Sequence, residues 1–372
     1  MKKLLALLLV CAMIFGLAAC AGTPATTDTT DTTDTTDTTT TTDTTDTTDD
    51  TADTTDDTAD TTDDTADTTD DTADDTTSGE LIKVGIINND PNESGYRTAN
   101  DADMKRVFTE ENGYEASFYY SLKNDEQIAA AQKFIQDEVD YLLISAAGTA
   151  GWDSVLMDAQ AAGIQVILFD RTIDADESLY VASIVSDMAK EGETAVNWLA
   201  SQGLEEYNII HIQGVMGSAA QVGRTGALDE MVAANDNWTL VTQQTAEWNA
   251  ETAQQIVQSV IDSGKEFNVI YAENDDMAKG AVAALDKANI SHGVDGDVII
   301  MGFDCNKWAL EELLAGRWNY DGQCNPFQAD YIDEIIQGLE NGQEPAEKVI
   351  YLEEKGFDAT TITQEDVDNY GI

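Results

Sequence analysis

The chain has 372 residues and a formal net charge of −54, from 72 acidic and 18 basic residues. A charge of this sign and size argues against nucleic acid or an anionic membrane surface as a partner, and it leaves a neutral or cationic small ligand open. The length exceeds one typical hydrophobic core and predicts more than one folding unit.

The first twenty residues have the composition of an export signal. Lys2 and Lys3 precede an apolar run over residues 4–19, which is too short to predict a retained transmembrane helix. The run ends in Leu17-Ala18-Ala19-Cys20, which resembles a bacterial lipobox. We therefore predict a signal peptide over 1–19 and a lipidated Cys20 that anchors an exported protein to the outer face of the cytoplasmic membrane, as in a Gram-positive bacterium. Ordinary signal cleavage beside an incidental cysteine is the alternative.

Residues 21–79 form a low-complexity segment with 19 Asp, no Lys or Arg, and mostly Thr otherwise. A seven-residue unit recurs at 49–55, 56–62 and 63–69, but without an apolar seam it cannot form a coiled coil. Such a segment buries too little apolar surface to offset its ordering entropy. We predict a disordered spacer over 20–79, roughly 40 Å long as a neutral coil. Threonine glycosylation or loose calcium binding are further alternatives for it.

Residues 80–372 alternate strand and helix patterns. Setting aside the spacer acids and the two N-terminal lysines leaves 53 acidic and 16 basic residues there, a net charge of −37. Continuous apolar runs with abrupt polar ends are typical of strands buried on both faces of a parallel sheet. The predicted strands are 81–88, 116–121, 139–145, 165–169, 179–185, 207–212, 239–244, 267–272, 298–303 and 318–324. Strands alternating with helices predict α/β architecture with two doubly wound parallel-sheet lobes and a cleft between their strand ends.

One of the predicted helices, 124–136, has a clear apolar face. Ile128, Ala131 and Ile135 recur there at helical spacing, which predicts that these three side chains face the core.

Polar residues at the strand ends are the candidate site, because ligands bind beyond the carboxyl ends of strands in open α/β sheets. Three of the five arginines in 80–372 follow predicted strands: Arg97, Arg171 and Arg224. The full set of candidates is Glu93, Tyr96, Arg97, Asp170, Arg171, Gln213, Arg224, Trp248, Asn274, Asp304, Trp308, Asn325 and Gln328.

This mixture suits a neutral, polyhydroxylated ligand. Carboxylates accept hydrogen bonds from sugar hydroxyls, guanidinium and amide groups donate to them, and an aromatic face can cover the C–H side of a sugar ring. An ordinary cap and surface ion pair is the alternative for Asp170-Arg171, and core packing is the alternative for Trp248 and Trp308.

The sequence gives little support for catalytic activity or for a metal site. Nucleophile-elbow, zinc-protease, phosphate-loop and dinucleotide motifs are all missing from it. An acid–base pair of Asp170 and Asp304 acting on a glycosidic bond stays open, but nothing selects it. His211 and His292 have no companion metal ligands nearby, and we predict no metal and no cofactor. Cys305 and Cys324 form either a disulfide or two buried free thiols.

With these residues in view, the globular part resembles a type I periplasmic binding protein of a sugar ABC importer, in the ribose/galactose group and nearest to galactofuranose-binding proteins. The resemblance spans essentially all of 80–372. It is carried by Glu93-Ser94-Gly95-Tyr96-Arg97, Gly151-Trp152, Phe169-Asp170-Arg171-Thr172-Ile173-Asp174, Ser178-Leu179-Tyr180, Gln213-Gly214 with Arg224, Asn274-Asp275-Asp276-Met277 and Gly302-Phe303-Asp304. Cys305 and Cys324 depart from the family pattern.

The resemblance implies specific roles for the strand-end residues. Six would hydrogen-bond the sugar: Arg97, Asp170, Arg171, Arg224, Asn274 and Asp304. Tyr96 would pack against the sugar, Trp248 would stack on its ring, and Gln328 would reach it from the hinge. Glu93 and Gln213 are weaker assignments.

The resemblance also implies an architecture and partners. The chain would cross between lobes three times, with an N-lobe of 80–187 plus 325–352 and a C-lobe of 188–324 plus 353–372. A monosaccharide (galactose, galactofuranose, arabinose or similar) would close the hinge, and an ABC transporter permease would recognise the closed monomer.

Other functions remain to be distinguished. The same fold can present a sugar or furanosyl signal to a membrane sensor, and the acidic stalk would also suit an adhesin. A related repressor is disfavoured, because the chain carries an export signal and no DNA-binding helix-turn-helix precedes the domain.

Overall fold

The structure is a computed structural model that describes residues 80–372. The predicted signal peptide, Cys20 and the Thr/Asp-rich spacer lie outside the described residues.

Twelve strands and ten α-helices alternate along the described part of the chain. In chain order they are β1 (Ile82–Asn88), α1 (Gly95–Val107), β2 (Tyr114–Tyr120), α2 (Asn124–Gln136), β3 (Tyr141–Ile144), α3 (Asp153–Ala162), β4 (Gln165–Asp170), β5 (Ala182–Val185), α4 (Met188–Ser201), β6 (Tyr207–Gln213), α5 (Ala219–Ala234), β7 (Trp238–Thr245), α6 (Ala250–Asp262), β8 (Val269–Ala272), α7 (Asp275–Ala288), β9 (Ile299–Asp304), α8 (Lys307–Leu314), β10 (Tyr320–Gln323), α9 (Ala329–Glu340), β11 (Val349–Tyr351), β12 (Gly356–Asp358) and α10 (Gln364–Tyr370). None of the helices within 80–372 is long and apolar enough to cross a membrane.

The strands form two six-stranded sheets, ordered β11-β5-β4-β3-β1-β2 and β12-β10-β9-β8-β6-β7. Every pairing in the first sheet is parallel. In the second sheet, only β12 departs, and it runs antiparallel to β10. This confirms the predicted fold class of two doubly wound lobes. The sequence patterns missed the short closing strands β11 and β12, because three residues are too few to show a period.

The chain passes between the two sheets three times: after β5, after β10 and after β11. Each sheet therefore receives one strand from the last part of the chain, as the three-crossover hinge predicted. We refer to the elements around each sheet as the first lobe and the second lobe.

The predicted apolar face of α2 packs on the core: Ala131 is buried, and Ile128 and Ile135 are partly buried against the same cluster. Gln127, Ala130 and Phe134 are buried as well. The Gln127 amide bonds the strand ends, because its Nε2 donates to the carbonyl oxygens of Asn88, Ser121 and Ser145 and its Oε1 accepts from the Ala147 N–H. Burying this amide satisfies backbone groups at the strand ends, and unpaired buried groups there would be costly.

Two glycines of α5 offer a matched test of helix packing. A Cβ at Gly223 would lie 2.5 Å from the Met188 carbonyl carbon at the start of α4, whereas a Cβ at Gly226 would meet no atom of the described chain within 4 Å. We expect Gly223→Ala to destabilise the fold by about 1–3 kcal/mol, because backbone cannot move aside cheaply. Gly226→Ala should stabilise it by up to about 1 kcal/mol through helix propensity.

The measurement is the free energy of unfolding in urea for both variants and the parent. Equal effects of the two substitutions would contradict the close packing of α5 on α4.

Candidate functional site

An aspartate ends one central strand of each sheet and anchors the site. Asp170 is the last residue of β4, and Asp304 is the last residue of β9. Both have positive φ, at 64° and 109°, a region that L-residues other than glycine rarely adopt. Backbone strain of this kind persists only where surrounding contacts enforce it, and it concentrates at functional sites.

In the first lobe, Arg97 and two hydroxyl groups hold Asp170. Arg97 Nη1 lies 2.6 Å from Asp170 Oδ2, and its Nε lies 3.2 Å from Glu93 Oε2. The Tyr96 hydroxyl donates to Asp170 Oδ1 at 2.8 Å, and the Ser145 hydroxyl donates to Oδ2 at 2.5 Å. Burial works against the charge, but Arg97 and Arg171 outweigh it and hold the pKa of Asp170 below its usual value.

Arg171 is the least engaged arginine of the site. Its Nη1 donates to the Ala146 carbonyl oxygen at 3.3 Å, and its Nε lies 3.6 Å from Asp170 Oδ2, which is too far for a hydrogen bond. Within residues 80–372, Arg171 Nε is buried without a hydrogen-bond partner. The guanidinium lies 5.9 Å from the centre of the Trp248 ring. Arg171 therefore keeps donor capacity for a ligand.

In the second lobe, Arg224 of α5 serves two carboxylates. Its Nε and Nη2 each lie 2.7 Å from Glu191 Oε2, and Nη2 lies 3.5 Å from Asp304 Oδ1. Its Nη1 donates to the Glu273 carbonyl oxygen. Burial raises the pKa of Asp304 well above its usual range, and Arg224 offsets this only in part while Glu191 adds to it.

Trp248 and Asn274 complete the second-lobe wall. Trp248 has a positive φ of 65°, and its ring lies against Gly214 so closely that a Cβ there would come within 1.9 Å of it. Its indole Nε1 is buried without a partner in the described residues. Asn274 caps α7 by accepting from the Met277 N–H at 2.9 Å. The predicted sequence pair Gln213-Gly214 thus makes room for the aromatic ring.

Together these residues line a small cavity between the two sheets, which we call the strand-end cavity. Nine of the thirteen candidate residues line it: Glu93, Tyr96, Arg97, Asp170, Arg171, Arg224, Trp248, Asn274 and Asp304. Ser94, Met188, Ala220 and Cys324 line it as well. These four were not predicted as site residues, since small or apolar residues at helix starts carry no distinctive signal.

Gln213 and Gln328 stand behind the cavity wall instead. Gln213 Nε2 donates to Thr225 Oγ1 at 3.1 Å. Gln328 Nε2 donates to the Tyr96 hydroxyl at 3.2 Å, and its Oε1 accepts from Asn100 Nδ2 at 2.6 Å. Trp308 also lies away from the cavity and packs edge-on against Trp318, with ring centres 5.8 Å apart. It therefore has the core-packing role that the sequence analysis gave as the alternative to ligand stacking.

Cys305 and Cys324 are buried free thiols in the structure. Of the two predicted alternatives, the structure therefore has the free thiols and not the disulfide. Cys324 Sγ instead lies 3.5 Å from Ser186 Oγ. The two cysteines follow neighbouring strands, β9 and β10, so proximity in the sheet alone does not produce a bond.

A pair of buried aspartates next to Asp304 escaped the sequence analysis. Asp275 and Asp321 are both fully buried, and the charge of Asp321 helps to raise the pKa of Asp275. Asp275 Oδ1 and Asp321 Oδ2 have no hydrogen-bond partner in the described chain. Burial raises the pKa of Asp321 to about 7, so the pair holds a proton at lower pH.

Two parallel-sheet lobes that close on a small, polar, aromatic-lined cavity define a two-lobed binding protein. A family model described as a periplasmic binding protein domain matches residues 84–338. The chain therefore belongs to the periplasmic binding protein family.

Named relatives agree with this assignment. The fructose import binding protein FruE of Bifidobacterium longum is 31% identical over 285 residues, which is 74% of this chain and 84% of the relative. The galactofuranose-binding protein YtfQ of Escherichia coli is 29% identical over 243 residues, which is 64% of this chain and 76% of the relative. The resemblance to the ribose, galactose and galactofuranose group is confirmed, and the named relatives are solute-binding proteins.

A solved structure shows the same architecture. It is the periplasmic binding protein component of an arabinose ABC transporter from Shewanella sp. ANA-3, bound to α- and β-L-arabinofuranose. It matches with a TM-score of 0.71 at 26% identity, covering 77% of this chain and 95% of that one.

The Asp275–Asp321 pair predicts a specific pH dependence of stability. Because the pKa of Asp321 is raised from its ordinary 3.8 to about 7, the folded chain binds a proton that the unfolded chain releases. The contribution of this bound proton to the free energy of unfolding is on the order of a few kcal/mol. It is complete below about pH 4 and is lost as the pH rises through 7. Asp321→Asn should flatten this part of the profile of unfolding free energy against pH.

Asp295→Asn is the matched control, because Asp295 is an exposed aspartate of the same lobe. A profile that keeps its slope in Asp321→Asn, or loses it equally in the control, would show that the pair does not share a proton.

Proposed function

We propose that this chain is the solute-binding component of a sugar ABC importer and holds one monosaccharide in the strand-end cavity. Two buried N–H donors of the cavity wall, Arg171 Nε and Trp248 Nε1, carry the proposal, because neither has a hydrogen-bond partner within 80–372. Unpaired buried donors cost free energy. The hydroxyl and ring oxygens of a sugar would accept from both.

The other roles follow from the geometry of the wall. Six residues that line the cavity are proposed as hydrogen-bonding partners of the sugar: Arg97, Asp170, Arg171, Arg224, Asn274 and Asp304. Tyr96 packs against the ligand and the Trp248 ring covers its C–H face. Glu93 acts by orienting Arg97, and Gln328 and Gln213 act from behind by holding Tyr96 and Thr225.

The class of sugar is proposed from the relatives. One relative is named for fructose, another for galactofuranose, and the matched arabinose-transporter structure holds arabinofuranose. We therefore propose galactose or galactofuranose, arabinose or a similar monosaccharide as the ligand of this chain.

Contacts between the loops of the two lobes support a hinge-closing mechanism. The Gly95 N–H donates to Asp276 Oδ2 at 3.3 Å, and the Thr149 N–H donates to the Gly217 carbonyl oxygen at 3.2 Å. We propose lobes of 80–187 plus 325–352 and of 188–324 plus 353–372. A sugar that touches both would favour the closed state by its differential affinity, and a permease would bind that closed monomer. A sensor role makes the same ligand prediction and differs only in the membrane partner.

Anchoring completes the proposal. We propose that Cys20 is lipidated and that residues 20–79 hold the lobes away from the membrane as a spacer, based on the Leu17-Ala18-Ala19-Cys20 motif and the composition that follows it.

Thermal unfolding of the mature chain, residues 20–372, tests ligand binding. A sugar at about 1,000 times its dissociation constant should add roughly 4 kcal/mol to the unfolding free energy, which is a rise of several degrees at about 2–4 °C per kcal/mol. The panel is galactose, arabinose, ribose, xylose, glucose and fructose. Arg171→Ala and Asp304→Ala should each abolish the ligand-induced shift.

Arg317→Ala is the control, since Arg317 is an exposed arginine paired with Glu312 and should leave the shift intact. Unchanged unfolding temperatures for the whole panel, in protein shown to be free of bound sugar, would refute monosaccharide binding. A shift retained in Arg171→Ala would refute the proposed wall donor.

Fractionation of cells tests the anchor. The full chain should sediment with membranes, and Cys20→Ser should move the protein to the soluble fraction or the medium, because a lipid chain supplies about 0.8 kcal/mol per buried methylene group. Membrane association that survives Cys20→Ser would contradict lipidation at this residue.

A further inference from the structure

A second cavity lies where helix α4 meets two of the three crossings between the lobes. The lining of this hinge cavity includes Glu191 of α4, Gln323 of β10 and Glu354 of the third crossing. Cys324, the residue after Gln323, lines the strand-end cavity. Glu191, Cys324 and Glu354 therefore lie between the two cavities.

These three side chains bring potential metal ligands together. One carboxylate oxygen of each glutamate and Cys324 Sγ all lie within 4.8 Å of one another. Glu191 and Cys324 are only 7% and 3% exposed. Tetrahedral zinc, with Zn–S near 2.3 Å and Zn–O near 2.1 Å, needs donor atoms roughly 3.5 Å apart, which this spacing allows.

The acceptor capacity of the cluster is only partly used. Glu191 Oε2 is taken by Arg224, but Glu191 Oε1 is buried and finds no hydrogen-bond partner in residues 80–372. Glu354 Oε1 accepts from Ser186 Oγ and from the Asn325 N–H, each at 2.6 Å. Both of these donors are neutral, and burial together with Glu191 raises the pKa of Glu354 to about 9, so a bound cation would have to displace this proton.

We propose that Glu191, Cys324 and Glu354 bind one divalent transition-metal ion of the zinc class, with a water molecule from the hinge cavity as the fourth ligand. A thiolate ligand selects zinc and softer ions over Mg²⁺ and Ca²⁺, which prefer oxygen ligands. The charges also balance, because the dication and the adjacent Arg224 offset one thiolate and two carboxylates. The residue spacing gave no hint of this site, since its ligands are far apart in the chain.

An ion at this position ties helix α4 of the second lobe to two of the hinge crossings. Through Glu191 it also adjoins Arg224, which lines the strand-end cavity. If the cavity binds sugar as proposed above, metal and sugar must change each other's affinity by the same factor. That coupling rests on the proposed function, whereas the metal site itself does not.

Cobalt titration of the mature chain tests the site directly. Every protein carries Cys20→Ser, so that Cys305 and Cys324 are the only thiols, and is titrated with Co²⁺ without sugar under reducing conditions. We expect a sulfur-to-cobalt charge-transfer band that saturates at one equivalent and is displaced by Zn²⁺. The aspartates of residues 21–79 cannot produce this band, since they offer oxygen ligands alone.

Three variants assign the ligands. Cys324→Ser should abolish the band, Glu354→Gln should weaken Co²⁺ binding about tenfold or more, and Cys305→Ser, the matched buried thiol, should leave the band unchanged. The proposal is overturned if the parent protein shows no band at saturating Co²⁺, or if the band depends on Cys305. A parent without a band and a Glu354→Gln variant with a raised unfolding temperature would identify a proton-sharing carboxyl pair instead.

Sugar-induced shifts measured with Zn²⁺ and with a chelator then report the coupling. Because the cobalt band is recorded without sugar, failure of the metal site and failure of sugar binding are separate results.

Discussion

A buried arginine–aspartate pair at the end of a central strand in each lobe is the interaction on which the site depends. In both lobes the aspartate ends the strand, and the arginine comes from the helix that follows the first strand of that sheet: Arg97 for Asp170 and Arg224 for Asp304. Each pair is nearly excluded from water. A buried charge persists only with a partner and further hydrogen bonds, and these contacts are what enforce the positive φ of both aspartates.

Different side chains hold the two arginine–aspartate pairs, and in both lobes some of these side chains lie on the crossing segments of the hinge. Asp170 is held by Arg97, Tyr96 and Ser145, and Gln328 from the second crossing holds Tyr96. In the second lobe Arg224 is shared with Glu191, which adjoins Cys324 at the start of the second crossing and Glu354 on the third crossing. Side chains that line the strand-end cavity in each lobe are thus in contact with residues of the hinge crossings. A movement of the crossings would disturb the side chains that face a ligand.

The strand ends could be predicted because apolar runs such as 165–169 stop abruptly at charged residues, and parallel sheets gather such ends at one edge. The buried acidic residues that support these strand ends could not be predicted from the sequence. Glu191 follows Lys190 in a helix and looks like part of an ordinary solvated face, and Asp321 sits in the short strand Tyr320–Gln323 without an apolar run around it. Their partners are distant in the chain, Arg224 for Glu191 and the Cys305 N–H for Asp321, and no local pattern contains them. The antiparallel strand β12 escaped for a related reason, since only pairing with β10 defines it.

The charge of the cavity differs sharply from that of the chain. Arg97 lies against Glu93 and Asp170, Arg171 lies beside Asp170, and Arg224 lies against Glu191 and Asp304. Burial raises the pKa of Asp304 well above its usual range, which favours a carboxyl group that can donate a hydrogen bond. The three guanidinium groups offset the carboxylates around them, so the site is far less acidic than the whole chain, which carries −54. A charged ligand would add an uncompensated charge to a buried space. A neutral ligand with many hydroxyl groups can accept from Arg171 and Trp248 and exchange hydrogen bonds with Asp304, so the electrostatics of the cavity favour a sugar.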